Sequence, residues 1–289
     1  MKPEYSVVVV HGIGAGKEEE RRGFSDKLKQ RVAKVCPDID AYWHEAPWEE
    51  INDAVDDVVQ SVVDNLIDGY IEESSASKRR SQKGNVRTGL CFIVKLLKKV
   101  KKVEKAVAEK LAPLLLRVAK RGIPYALDLL LDLPLYLSRD HGKAIRGRVR
   151  EKIEEVFRKT DRGVILVGHS LGSVIAYDVL AEMIAKGENQ HVKALVTFGS
   201  PLGWVMQIRR ADRNLPALPS DVSSVKWVNF YDSDDPIPLR RELDPAEFSG
   251  VENKRVDSGE KLLCAHCAYW SNAEVAKCLV GLMRGEEIA

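Results

Sequence analysis

Cysteine is scarce in this 289-residue chain, with five thiols at positions 36, 91, 264, 267 and 278. An odd, scattered set of this kind argues against a disulfide-stapled fold and fits reduced thiols in a cytosol. Long apolar runs are lacking as well. The nearest to a membrane span is 123–137, which Asp128, Asp132 and Pro134 interrupt. Val7–Val10 is too short for a signal-peptide core and follows the charged Glu4. The expected setting is therefore cytoplasmic. Net charge is nearly absent, with 45 basic against 43 acidic residues. What remains is 45% hydrophobic and 30% charged, which excludes a disordered chain or a collagen. The length suffices for one large domain or two small ones with a sizeable core.

The charge is unevenly placed. Residues 78–121 hold 15 basic and 2 acidic side chains, leaving 30 basic against 41 acidic elsewhere. Confinement of positive charge to one stretch disfavours a nucleic-acid binder. Just upstream, residues 45–73 hold ten acidic and no basic residues.

Hydrophobic patterning divides the chain. Val7–Val10 reads as a buried strand, and residues 17–35 as a helix with Phe24, Leu28, Val32 and Val35 on one face. Residues 39–43 are expected to form a second strand, 162–167 a third, 193–198 a fourth and 225–231 a fifth. Helices are expected at 139–159 and 170–185. Strands alternating with helices predict a mostly parallel sheet covered on both faces. Residues 49–137 interrupt that alternation and read as a helical lid or cap, separate from a core of residues 1–48 and 138–289. Within it an acidic stripe runs from Ile51 to Tyr70. A polar stretch follows, and then a basic amphipathic pattern from Leu96 to Val118 that Pro113 should kink.

The strongest chemical signal is Gly168-His169-Ser170-Leu171-Gly172, set between an apolar strand and a helical run. A serine on a sharp strand-to-helix turn exposes its Oγ, and flanking glycines let the backbone make the turn. The helix that follows would direct the Leu171 N–H toward a developing oxyanion. A second part, His11-Gly12-Ile13-Gly14, follows the first strand, and there Ile13 N–H is the expected second oxyanion donor. Nucleotide-binding readings of this turn fail, because a dinucleotide fingerprint needs glycine at Lys17 and a P-loop needs glycine at His11 and Ser or Thr at Glu18. Three acids, Asp232, Asp234 and Asp235, follow the fifth strand. Of six histidines, only His266 comes after them, and serine, acid, histidine is the chain order of one triad family.

Cys264 and Cys267 make a C-x-x-C around His266. A redox pair would need a helix start after a strand in a thioredoxin-like order, and a zinc site would need a second ligand pair, of which none stands at usable spacing. Two small buried thiols flanking a useful histidine is the expectation. No metal or organic cofactor is called for.

At these residues the sequence resembles the α/β-hydrolase superfamily, and within it the serine lipases and esterases. Gly168–Gly172 looks like the nucleophile elbow, and Val7–Gly14 like the oxyanion strand. Thr197–Gly203 (TFGSPLG) looks like the strand and turn after the elbow helix. Asp235-Pro-Ile-Pro238 resembles the lipase acid motif and favours Asp235. His266 followed by Tyr269-Trp270 resembles the catalytic histidine segment. The resemblance implies an α/β-hydrolase fold and a triad of Ser170, Asp235 and His266. Ile13 and Leu171 would form the oxyanion hole, with His11, Gly12, Gly168, His169 and Gly172 in support. The implied substrate is a small-molecule or lipid ester. The chain starts directly at the oxyanion strand, without the usual preceding hairpin, and the insertion carries no motif of the superfamily. Acyltransferase or thioesterase chemistry would use the same triad. A reading from another class makes the protein a membrane-surface or partner-binding module, with residues 90–121 meeting anionic lipid. Pairing of the acidic and basic helices within a lid is the preferred alternative.

Overall fold

Val7, Val8, Val9 and Val10 are shielded completely from solvent and alternate between two apolar layers. That is the period of a strand buried on both faces, and each such valine contributes about 1.5–3 kcal/mol of burial energy. They form β1 (Tyr5–Val10), the second strand of a sheet that among the described residues has six strands, all parallel. Its partners are β2 (Ala41–Glu45), β3 (Val164–His169), β4 (Val192–Phe198), β5 (Lys226–Asp232) and β6 (Val251–Val256), in the order β2-β1-β3-β4-β5-β6. The computed structural model describes residues 5–12, 18–48, 133, 136–159, 163–211, 215, 218–238, 242–261 and 263–286.

Helices cover both faces. On one side lie α1 (Glu18–Val35) and α6 (Ala273–Arg284), which place Leu28, Val32, Val275 and Leu279 against Val7, Val9, Ile165 and Val167. On the other lie α2 (Arg139–Phe157), α3 (Leu171–Ala185) and α4 (Leu202–Ala211), packed on Val8, Val10 and Leu166. A short α5 (Leu263–Ala268) and a 3₁₀ turn (Tyr269–Ser271) precede α6. The start of α6 is capped by Asn272, whose side chain accepts the Glu274 N–H at 2.8 Å, and Gly285 ends it in the left-handed conformation.

α3 is buried at nearly every position, including the charged Asp178. Arg209 of α4 binds both Asp178 oxygens, Nη1 to Oδ1 at 2.7 Å and Nη2 to Oδ2 at 2.5 Å. The Tyr136 hydroxyl donates to the same carboxylate, and the guanidinium lies 5.8 Å from the Tyr136 ring centre. Burial, and then the Asp178 charge, hold the Tyr136 phenol well above its ordinary pKa. The cluster thus meets the desolvation cost of a buried acid with a forked cation.

Several expected boundaries shift. The second strand is 41–45 rather than 39–43, because it runs on toward the Val9 carbonyl, which accepts the Ala46 N–H at 2.9 Å. The third ends at His169 rather than Val167, since Gly168 and His169 still pair with Thr197 and Phe198 of β4. β6, of sequence VENKRV, lies at the sheet edge and has no expected counterpart. The acidic and basic stripes of the insertion, residues 51–118, lie outside the described residues. Leu133, Tyr136 and Leu137 are buried in the core beside α2 and α3.

Candidate active site

Strand order determines where the chemistry gathers. The chain runs from β1 outward to β2, then crosses to β3 on the other side of β1. The crevice beyond the carboxyl ends of β1 and β3 is therefore a topological switch point, where open parallel sheets bind ligands. His11 and Gly12 leave β1 there, and Ser170 leaves β3.

Ser170 has φ 53° and ψ −129°, and among the described residues it is the only non-glycine with positive φ. Such a conformation costs on the order of 1–3 kcal/mol and persists only where surroundings enforce it. The flanking glycines show how. A Cβ on Gly172 would stand 2.2 Å from the Val10 carbonyl oxygen and 2.3 Å from that of His11. One on Gly168 would meet the Ser173 Cα at 2.6 Å, and one on Gly12 the Ser170 Cβ at 2.5 Å. Further bonds hold the turn: Ser170 N–H donates to the Phe198 carbonyl at 3.2 Å, and the Ser173 hydroxyl donates to the Ser170 carbonyl at 2.5 Å. Leu171 opens α3 and is fully buried. Ile13, the other expected oxyanion donor, lies outside the described residues.

The acid and histidine meet beyond the same carboxyl end of the sheet. His266 Nδ1 is 2.8 Å from Asp235 Oδ2, and both side chains are nearly solvent-free. Asp235 Oδ1 accepts the Ile237 N–H at 2.9 Å, which orients the carboxylate. Tyr269 donates its hydroxyl to Oδ2 at 3.0 Å and accepts the Asp232 N–H at 2.8 Å. Burial, followed by the Asp235 charge, raises the Tyr269 phenol far above its usual pKa, so it stays a neutral donor. The other two acids point elsewhere. Asp232 binds Ser258 through backbone N–H and hydroxyl, and Asp234 is exposed.

His169 links the two halves. Its Nε2–H donates to the His266 carbonyl at 2.9 Å, and the two rings lie 4.5 Å apart. Burial first, and then the charge of His266, hold its pKa well below the ordinary value, so it remains neutral. Gly199, in the turn after β4, has φ +57°. A Cβ there would stand 2.8 Å from His266 Cε1 and 3.1 Å from Asp235 Oδ2. Its identity is visible in TFGSPLG, but the reason for it depends on a ring 67 residues away. His11 is buried and stacked on Trp270, with centroids 5.2 Å apart, and its carbonyl accepts the Trp48 indole N–H at 2.9 Å.

Cys264 is exposed and Cys267 half-buried, which corrects the expectation that both are buried. Among the described residues no cluster of three or more His, Cys, Asp or Glu is arranged to hold a metal ion. None of their helices is long and apolar enough to cross a membrane.

Comparison with known proteins bears on this site. The lecithin:cholesterol acyltransferase family matches residues 145–212, a segment running from within α2 through the elbow to α4. A probable mitochondrial phospholipase of Saccharomyces cerevisiae is 31% identical over 160 residues, covering 49% of this chain. The match spans about a fifth of that relative's length, 21%. The RedJ thioesterase of prodiginine biosynthesis in Streptomyces coelicolor superposes with a TM-score of 0.43 at 13% identity, covering 98% of this chain and 86% of its own. The parallel sheet with helices on both faces, the strained serine turn at its switch point and the matched segment give the chain an α/β-hydrolase fold similar to that of lipases and esterases.

Proposed function

We propose that the protein is a serine hydrolase that cleaves carboxylic ester bonds, lipid esters among them, through an acyl-enzyme on Ser170. Ser170 Oγ attacks the ester carbonyl while His266 Nε2 takes its proton. Asp235 accepts the Nδ1–H, which leaves Nε2 free to act as base and stabilises the imidazolium. The Leu171 N–H, with that of Ile13, meets the oxyanion of the tetrahedral intermediate. His266 then protonates the leaving alcohol, and water deacylates the serine by the same route.

One observation carries this reading. A serine with enforced positive φ follows β3 at the same carboxyl end of the sheet as a buried His266–Asp235 pair 2.8 Å apart. The lipid character of the substrate rests on the phospholipase relative. A series of p-nitrophenyl esters of increasing chain length tests both parts. Turnover that rises with chain length and vanishes in Ser170→Ala supports the reading. Turnover that survives in Ser170→Ala contradicts it.

Acyl transfer to an alcohol is the second reading, favoured by the acyltransferase family match across the elbow. Product partitioning between water and an added alcohol separates the two. Peripheral contact with anionic lipid through residues 90–121 belongs to the same proposal and rests on the basic charge of that segment. Vesicle co-sedimentation before and after neutralising those lysines tests it.

A further inference from the structure

Cys264 and Cys267 have no part in the proposed reaction, yet α5 places them on either side of His266. Both thiols line one open cleft of about 590 Å³, together with Lys27 and Arg31 of α1. Residues three apart on a helix have Cα atoms about 5 Å apart by helix geometry, inside the window a disulfide accepts. We propose that Cys264 and Cys267 form a dithiol site for exchange with small disulfides, and that closing the bridge switches off the neighbouring His266. The effect on activity rests on the hydrolase reading above; the thiol chemistry does not.

The two thiols divide the reaction between them. Cys264 is exposed and is the first to be reached. Its thiolate attacks one sulfur of a small disulfide such as oxidised glutathione. The reagent's S–S bond breaks, one thiol leaves, and a mixed disulfide forms on Cys264. Cys267 then attacks the Cys264 sulfur and expels the second small thiol. The protein loses two electrons and two protons, and the reagent gains both as two free thiols. Burial, followed by the Asp235 charge, pushes the Cys267 thiol above its ordinary pKa, which suits the second role rather than the first.

The bridge disturbs His266 for a geometric reason. Helical neighbours three apart hold their Cβ atoms about 5–6 Å apart, whereas a disulfide needs about 3.8 Å. The turn through His266 must tighten by an ångström or more. Its ring has no slack to absorb this. Nδ1 is bonded to Asp235 at 2.8 Å, and the carbonyl is held by His169 at 2.9 Å. The Gly199 backbone lies so close that even a methyl group there would come within 2.8 Å of Cε1. A displacement of about 1 Å at a reacting group can cost about 100-fold in rate.

The test is incubation of the full chain with oxidised glutathione, read by intact mass, peptide mapping and ester turnover. The expected product has lost two hydrogens, maps to a Cys264–Cys267 bridge, and has at least about tenfold lower kcat that dithiothreitol restores. Cys264→Ser and Cys267→Ser are expected to keep basal turnover and lose the response. A glutathione adduct without closure, a bridge without loss of kcat, or an equal loss in both serine variants overturns the proposal. If the reduced protein proves inactive toward every ester, the hydrolase reading fails. The mapped bridge then still reports whether the dithiol site exists.

Discussion

Asp235 and Asp178 are both carboxylates withdrawn from water, with side chains 0% and 1% exposed. Their partners differ. Asp178 faces Arg209, a forked cation that matches both oxygens and cannot lose its charge. Asp235 faces an imidazole, a phenol and a backbone N–H. The first arrangement neutralises the acid permanently and ties α3 to α4. The second leaves the acid next to a group able to take and release a proton. Each acid also accepts a tyrosine hydroxyl, so under the proposed mechanism what separates structure from chemistry is the fixed cation at Asp178 against the imidazole at Asp235. Substitutions at each should separate loss of activity from loss of stability.

The largest effect is expected at Asp235, the acid of the proposed triad. Asp235→Asn should lower kcat about 10⁴-fold, or ~5.5 kcal/mol, with little change in melting temperature. Asp234→Asn should stay within about twofold, since that side chain is exposed. Asp178→Ala should do the reverse, costing about 3–5 kcal/mol of unfolding free energy by stranding Arg209, as denaturant titration would measure. If both variants lost activity and stability in the same proportion, the distinction between the two acids would fail.

Smaller changes sharpen the comparison. Gly199→Ala should cost about 100-fold in kcat with a modest change in KM, because the new methyl meets the His266 ring. Tyr269→Phe should cost about tenfold. The loss should fall on kcat rather than KM, because the hydroxyl that Tyr269 gives to Asp235 Oδ2 helps hold the carboxylate against His266. The last effect is on pH and stability. His169 has a lowered folded pKa, so the unfolded chain binds more protons below about pH 6.5. Its contribution is full above that value and declines as pH falls toward the folded pKa. His169→Gln should flatten that part of a urea-midpoint series.

The sequence made the centre of the sheet legible and its edge much less so. β1 and β3 are runs of valine, isoleucine and leucine because helices cover both of their faces. β6 is held at the edge by backbone pairing to β5, so VENKRV needs no apolar alternation. The elbow was readable because glycine is demanded locally on both sides of Ser170. The acid was not readable from local pattern, since three aspartates fall within four residues. Resemblance to the lipase motif pointed to Asp235, and the turn after β5 is what aims that side chain at His266. The roles of His169, Gly199 and Tyr269 arise from contacts across 97, 67 and 34 positions respectively, beyond the reach of any periodicity.

The central claim is that Ser170 is a nucleophile activated by His266 and Asp235. A fluorophosphonate probe tests it most directly, because it phosphonylates a serine activated as a nucleophile far faster than an ordinary serine. The account predicts stoichiometric labelling of the folded protein, mapped by mass spectrometry to the peptide carrying Ser170. Labelling should be abolished in Ser170→Ala and strongly slowed in Asp235→Asn. Labelling at another serine, or none on folded protein free of bound inhibitor, would contradict it.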